Sequence, residues 1–578
     1  MFEYFRNIIS ILTLKQKKGS LILFFFILIN SVLETFGIGL IFPLLVVLLD
    51  ENAMNNYQFI NDIYLFFNFT EYSNLVKLLI LVILCFFIIR FLFIIFFAWF
   101  QNKFIFTTNA ELSHRLLRRY LFAPWNYVLK RNSGEMIRTI DSDVSIYSRL
   151  SLLSLFNLIK DLLLILSIIT LLSFFNLKLT LFSIVFFAVF SFLIYSTLRN
   201  RIYNLGRDRH LTDSKKTKEL IQTLSAIKDI RVLGLEKVFI KLYDLINFRS
   251  ARIWRNQNFI NEIPKNFLEL FTIFFVIVII YVFYHFYDQS YKIFLPILGV
   301  FGASAVRLVP ATGRILANLQ NLKFSKVSTL AINKNLVDYD KLEYQKNNIK
   351  NKEFLFKKEI VFKNVTFRHE NKSENILENL SLKISKGETI GIIGESGSGK
   401  STLVDILLGL NSTSTGSVLV DNLDIKENIV GWRKKIGYVS QNLFLIDDTI
   451  EKNITFLFDN EIFSQEKLNK VIQDVQLKKF IERLPKGIKT GIGERGLRIS
   501  GGEKQRIVIA RILFNNPDVL IFDESTNALD FDTEKKIVDL IHSLKSENKT
   551  IIFVSHRKST LEKCDSIYLL KDKKLELK

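Results

Sequence analysis

Residues 394–401 read Gly394-Glu395-Ser396-Gly397-Ser398-Gly399-Lys400-Ser401, a spacing suited to gripping phosphate. The glycines let backbone N–H groups close around phosphate oxygens at a helix N-terminus. Lys400 then reaches the terminal phosphates, and Ser401 is placed to ligate Mg²⁺. The setting is the required one: an apolar strand-like run, 389–393, precedes the loop, and a helical run opening at Thr402 follows it. A second constellation is the run 518–524, an apolar strand that ends in Asp523 and Glu524. Asp523 would organise Mg²⁺ through its water shell, and Glu524 would polarise an attacking water. Alone, the pair also reads as a strand that happens to end in acids. A third is Ile499-Ser500-Gly501-Gly502-Glu503, which opens a helical run over 504–514 and makes another anion-binding helix terminus.

The order of phosphate-binding loop, Ser-Gly-Gly segment and paired acids resembles the ABC ATPases. That resemblance implies ATP as ligand, with Mg²⁺. It implies that Ser500, Gly501 and Gly502, with Glu503, contact the γ-phosphate held by the Lys400 loop of a second copy, so that ATP sits between two domains. It also assigns Gln441 as the glutamine that senses Mg²⁺, His556 as the switch histidine on the γ-phosphate, and residues 527–530 as the loop after the paired acids. Gly493–Gly496 resembles the short loop that precedes the signature in exporters, and Thr402 joins the ATP-binding residues. His369 stands where this family places an adenine-stacking tyrosine, and an imidazole offers less stacking area. Ile499 replaces the usual Leu, Glu503 the usual Gln, and Asn527 the usual Ser.

These elements need a soluble α/β domain, which the last two hundred or so residues supply. The rest of the 578 residues differ: the chain is 49% hydrophobic with 54 Phe, and the long apolar runs fall in its first three hundred or so residues. Six runs, near 20–49, 74–100, 150–175, 178–198, 263–287 and 291–320, reach the length of about 20 residues that crosses a bilayer as a helix. The formal net charge of +21 sits mostly in two long loops between these runs. By the positive-inside bias, both basic loops and both termini are cytoplasmic. Two cysteines, Cys85 and Cys564, give neither a disulfide framework nor a metal spacing. Residues 2–12 carry apolar side chains at helical spacing before Lys15, Lys17 and Lys18, which predicts an amphipathic helix on the cytoplasmic face of the membrane. The expected architecture is therefore an α-helical six-span transmembrane domain (1–335), a linker (336–357) and an α/β P-loop ABC nucleotide-binding domain (358–578).

Six spans, linker and ATPase in one chain resemble the type IV exporters, half-transporters that work as homodimers. In that family the turns around Trp125–Arg131 and Ser225–Leu235 are the coupling-helix candidates. Charges inside spans mark the cargo path, since burying them is costly. Arg90 lies in span 2, Lys265 at the start of span 5, and Arg307 and Arg314 on span 6. Seven residues separate the last two, so they share a helix face about 10 Å apart. A basic stripe suits an anionic cargo; structural pairing with Glu34 or Asp161, or snorkelling, is the plainer alternative. The stretches Glu34-Thr35-Phe36 with Pro43, and Arg307-Leu308-Val309-Pro310 with Arg314-Ile315, are similar to the PglK-type lipid-linked oligosaccharide flippases. In that subfamily, basic residues at positions resembling Arg90, Lys265, Arg307 and Arg314 line the path. An external helix also lies between spans 1 and 2, where Phe59, Ile60, Ile63, Tyr64 and Phe67 give this chain an apolar face. The expected function is ATP-driven export or flipping of an amphipathic substrate across the bacterial inner membrane, such as a polyprenyl-pyrophosphate-linked glycan. The alternative is export of another lipid, drug or hydrophobic compound. Six spans exclude an ABC ATPase of the translation or DNA-repair kind, and no nucleic-acid partner is expected.

Overall fold

In the computed structural model, described residues are 2–49, 58–67, 72–286, 291–344, 354–369, 373–457, 463–524, 531–555 and 557–578, and the chain divides into two compact units that change over after Leu342. The first unit is helical. Thr13 and Gln16 close a capping box that starts its first long helix, Leu14–Gly39: Thr13 Oγ1 accepts from the Gln16 amide, and Gln16 Oε1 accepts from the Thr13 amide. A second piece, Ile41–Leu49, continues the span, with Pro43 in its first turn, where the missing N–H costs no helix bond. Tyr72–Phe122, a helical run over 133–175 that ends in the helix Leu153–Phe175, then Leu177–Ser225, Glu236–Phe286 and Tyr291–Tyr344 follow. Asn132 and Asn176 cap the Ser133 and Leu177 helices through their side-chain oxygens.

Among the described residues, five helices are long and apolar enough to cross a membrane, within 14–48, 73–122, 133–174, 177–225 and 299–338. The remaining expected span, near 263–287, falls on the C-terminal part of Glu236–Phe286. Ile89, Phe91 and Leu92 are each about 61% exposed, an apolar surface that water would not tolerate and a bilayer covers. The basic loops fold as continuations of the spanning helices, with short helices Trp125–Leu129 and Ile227–Val232 at the two far turns. Between the first two spans a helix covers Gln58–Phe66, and Tyr64 packs against the Val46, Val47 and Leu75 cluster. The Phe59, Ile60 and Ile63 side chains lie outside the described residues. The last helix runs to Tyr344, into the stretch expected as linker.

The N-terminal helix, Phe2–Ile11, differs from the reading above. Its apolar face packs on protein. Tyr4, Ile8, Ile11 and Leu12 are buried in one cluster with Leu112, Leu116, Val144, Tyr147, Ile332 and Leu336. The Tyr4 hydroxyl lies 3.1–3.3 Å from the hydroxyls of Ser151, Ser325 and Thr329, and Tyr147 donates to the Ile8 carbonyl at 2.9 Å. Periodicity shows an apolar face but not what covers it.

The second unit holds two sheets. An antiparallel sheet has the order β2-β1-β4-β5, formed by β1 (Glu359–Phe367), β2 (Leu377–Ser385), β4 (Thr415–Val420) and β5 (Leu423–Asp424). The other has the order β10-β9-β3-β8-β7-β6, formed by β3 (Thr389–Ile393), β6 (Ile436–Val439), β7 (Val519–Asp523), β8 (Thr550–Val554), β9 (Ser566–Lys571) and β10 (Lys574–Leu577). It is parallel except for the β9–β10 pair. β7 and β8 are buried along their whole length, as their unbroken apolar sequences require.

Candidate functional site

Four strand ends meet at one edge of the parallel sheet. Ile392 registers with Val554, Val554 with Asp523, and Val439 with Phe522. The next residues along each strand, in the Gly394 loop, at Ser555, at Glu524 and at Ser440, therefore emerge side by side. That edge is where open parallel sheets take ligands.

The phosphate-binding loop leaves β3 and enters the Lys400–Leu407 helix. Gly394 is buried, and a Cβ there would lie 2.5 Å from the Leu570 carbonyl oxygen. Gly399 has φ +107°, a left-handed value that only glycine adopts freely. Lys400 Nζ folds back onto its own loop, donating to the Gly394 and Glu395 carbonyls at 2.5 and 2.9 Å. The Ser398 hydroxyl is buried without a hydrogen-bond partner. A cradle that a Cβ would close, an ammonium resting on backbone carbonyls and an orphaned hydroxyl together fit the phosphates of a nucleotide. Glu395, Ser396, Gly397 and Ser401 are exposed at its mouth, with Thr402 half-buried behind them.

Asp523 ends β7, buried, and accepts from the Tyr438 hydroxyl at 3.2 Å. Burial raises its carboxyl above the ordinary range despite that bond, and the Glu524 charge adds to the rise. Asp405, in the helix after the loop, is pushed up to about 6 by burial and by Asp523. Carboxyls that resist ionisation in one place are a setting that a divalent cation relieves. Among the described residues no cluster of three or more His, Cys, Asp or Glu forms a cage by itself. Mg²⁺ ordinarily takes one or two carboxylates together with substrate phosphates, so the residues present fit it.

Glu524 has φ +45°, a left-handed backbone in a residue with a full side chain. Its N–H donates to the Val554 carbonyl at 2.9 Å, which holds the bend. Such conformations cost on the order of 1 kcal/mol and concentrate where a side chain must be aimed. The carboxylate meets Gln441, whose Nε2 donates to Oε2 at 2.8 Å. The structure thus brings together two residues chosen on separate grounds.

Ser500 caps the Gly501–Asn515 helix, with Gly501 exposed and Gly502 half-buried in its first turn. Its hydroxyl accepts from the Glu503 amide at 3.3 Å, and its own amide donates to Glu503 Oε2 at 2.7 Å. Glu503 therefore closes a capping box, a role that Gln fills equally well. We expect Glu503→Ala to cost about 1 kcal/mol of domain stability and Glu503→Gln to cost little, read as melting temperatures. His369 follows β1 and sets its ring edge-on to Phe367, centroids 5.2 Å apart. His556 and residues 527–530 lie outside the described residues. Sequence reasoning did not find Tyr438 or Asp405. Neither had a sequence signal: Tyr438 meets Asp523 only because β6 pairs with β7.

The comparisons agree with this geometry. The family model described as "ABC transporter" matches residues 377–527, and "ABC transporter transmembrane region" matches 20–298. The chain is an ABC transporter. It is 26% identical over 476 residues, 82% of its length and 80% of theirs, to the ATP-dependent lipid A-core flippases of Yersinia pestis bv. Antiqua (strain Antiqua) and Escherichia coli (strain K12). Over 210 residues, 36% of each chain, it is 39% identical to that of Pasteurella multocida (strain Pm70). In fold it matches the structure of a bacterial Atm1-family ABC exporter with ATP bound, with TM-score 0.75, 21% identity, and coverage of 97% of this chain and 94% of that one. The chain is thus a multi-pass membrane protein whose transport is coupled to ATP hydrolysis.

In the membrane half of this ABC transporter the three predicted arginines are paired. Arg90 Nη2 donates to Glu34 Oε1 at 3.0 Å, and Arg307 Nη1 lies 3.7 Å from the same oxygen. Arg314 grips Asp161 with Nε and Nη2, at 2.7–3.2 Å. The stripe is therefore part neutralised, with two arginines sharing one glutamate. Asp161 is buried and Glu34 is partly buried, whereas the Arg307 and Arg314 side chains are 44% and 49% exposed. Lys265 and Arg314 line a cleft of about 790 Å³ between the Glu236–Phe286 and Tyr291–Tyr344 helices, joined there by Glu262 and Glu269.

Proposed function

We propose that this ABC transporter is a homodimeric exporter that moves an amphipathic, anionic lipid across the bacterial inner membrane, with its ATPase units and both termini in the cytoplasm. The cargo is a polyprenyl-pyrophosphate-linked oligosaccharide or a related glycolipid. The observation that carries this reading is the pair Arg307 and Arg314, each half exposed on one face of the Tyr291–Tyr344 helix while its acid partner is more enclosed, Asp161 fully and Glu34 partly. A guanidinium fixed on one side by carboxylate keeps N–H donors for a second anion, and phosphate suits its planar fork. The large relatives named as lipid flippases support a lipid cargo.

In the ATPase unit, Lys400 would leave the Gly394 and Glu395 carbonyls for the β- and γ-phosphates. Ser401, Asp523 and Gln441 would hold Mg²⁺, which supplies charge neutralisation at those phosphates. Glu524 would orient the attacking water, and His556 would contact the γ-phosphate. The Ser500 helix start of the second copy would close the site from the other side, so that ATP binding draws the copies together. Complementation tests the cargo: expression in a strain lacking its lipid-linked oligosaccharide flippase should restore glycoprotein synthesis. The double variant Arg307→Ala with Arg314→Ala should not restore it. Restoration by that variant would remove the basic residues from the cargo path, and none with the unaltered chain would remove the oligosaccharide.

A further inference from the structure

One turn of the Tyr291–Tyr344 helix separates two cavities. Val309, Pro310 and Arg314 face the cleft described above. Leu308 and Thr312 face a smaller groove of about 300 Å³, closed on its other sides by the Leu153–Phe175 and Leu177–Ser225 helices. Leu162, Leu172, Phe187 and Ala188 give it hydrocarbon walls. Its hydroxyls are turned away: Thr180, Ser183 and Thr312 each donate to a carbonyl of their own helix or its cap, at 2.7–2.8 Å. The exception is Ser191, whose Oγ is buried without a partner.

The groove has a direction and a length. Leu162, Ser191 and Thr312 lie at one end, and Leu172 and Thr180 at the other, beside the Asn176 turn. The Arg314–Asp161 pair stands just past the first end, since Asp161 precedes Leu162 and Arg314 lies two residues beyond Thr312. Thr180 to Ser191 spans eleven residues of helix, about 17 Å. That is close to half of a hydrocarbon core of about 30 Å, the depth of one leaflet.

We propose that this groove holds one hydrocarbon chain of the transported lipid, with the lipid's first polar group at Arg314 and the Ser191 hydroxyl. The inference rests on the lipid-export reading and adds to it. The head group travels on one face of the Tyr291–Tyr344 helix while a chain stays on the other, so chain length as well as head-group charge decides what is carried. An annular lipid would need no polar end to the groove.

The test uses the full chain in phosphatidylcholine nanodiscs with phosphatidic acid bearing a diazirine at the end of one acyl chain. After photolysis, adducts should map to the far end of the groove, at Leu172, Thr180 and Ile184, in preference to Leu181 and Val185 on the exposed face of the Leu177–Ser225 helix. Arg314→Lys, which cannot reproduce the forked contact, should lower groove labelling roughly tenfold if a charge-assisted bond is lost. Ala188→Trp, which fills the groove, should abolish it. Labelling equal on both faces and indifferent to Arg314 would overturn the proposal, and it needs only the unaltered protein and one conservative variant. Phosphatidic-acid stimulation of ATP hydrolysis, measured on the same sample, separates the two readings. Stimulation without groove labelling removes the groove alone; groove labelling without stimulation removes the transported lipid as its occupant.

Discussion

Glu524→Gln should lower ATP hydrolysis by about 10²–10⁴-fold, the usual contribution of a positioned general base, while nucleotide still binds. The substitution keeps the shape of the side chain and its partner at Gln441, 2.8 Å away, because an amide oxygen can accept from Nε2 as the carboxylate does. It removes only the negative charge that would orient water. The strained backbone at φ +45° should persist, since the Val554 carbonyl still holds the Glu524 amide. Two measurements on the purified transporter check this: turnover, and retention of a fluorescent ATP analogue with dimerised ATPase units. A variant that keeps most of its turnover would take Glu524 out of the catalytic role. The fold and the proposed binding role of Lys400 and the glycine loop would be untouched by that result.

Arg314→Ala should be the most damaging single change in the membrane half. Asp161 is fully buried, and its carboxylate receives three contacts of 2.7–3.2 Å from Arg314. Removing the arginine leaves a buried charge without its partner, a loss of about 3–5 kcal/mol. Low yield in membranes and early unfolding in a detergent melt are the expected readouts. Replacing both partners with apolar residues, Asp161→Leu with Arg314→Met, should recover much of the stability. Transport should stay absent in that double variant if Arg314 meets cargo as well as Asp161. Full transport by the double variant would assign the pair to structure alone.

The ATPase half was legible because its chemistry sits in short runs of sequence. Eight consecutive residues make the loop around Lys400, and two acids end β7, so local order and site coincide. What could not be read are contacts made across strands and helices. Tyr438 reaches Asp523 only because β6 registers beside β7, and no local pattern announces that neighbour. Glu503 had looked like a departure from the family; only the reciprocal bonds to Ser500 show that it caps a helix. In the membrane half the buried charges were found, and their pairing was open between Glu34 and Asp161. Geometry decided it, dividing one apparent stripe into two differently neutralised sets. The N-terminal helix shows the limit most clearly, since an amphipathic pattern fits a bilayer surface and a protein groove equally well.

That helix also has a consequence for biosynthesis. Tyr4 is translated well ahead of Thr329, 325 positions later, which carries one of the hydroxyls that receive it. At about 5–20 residues per second, tens of seconds of translation separate the two. Throughout that interval the docking groove does not exist, and the apolar face of Phe2–Ile11 needs another cover. The lipid–water interface beside the insertion site is the cover at hand, so we expect the nascent chain to pass through the state that its amphipathic pattern describes. Docking the helix is then among the last events of folding, and an N-terminal fusion bulky enough to block it should trap a transporter that is inserted but unfinished.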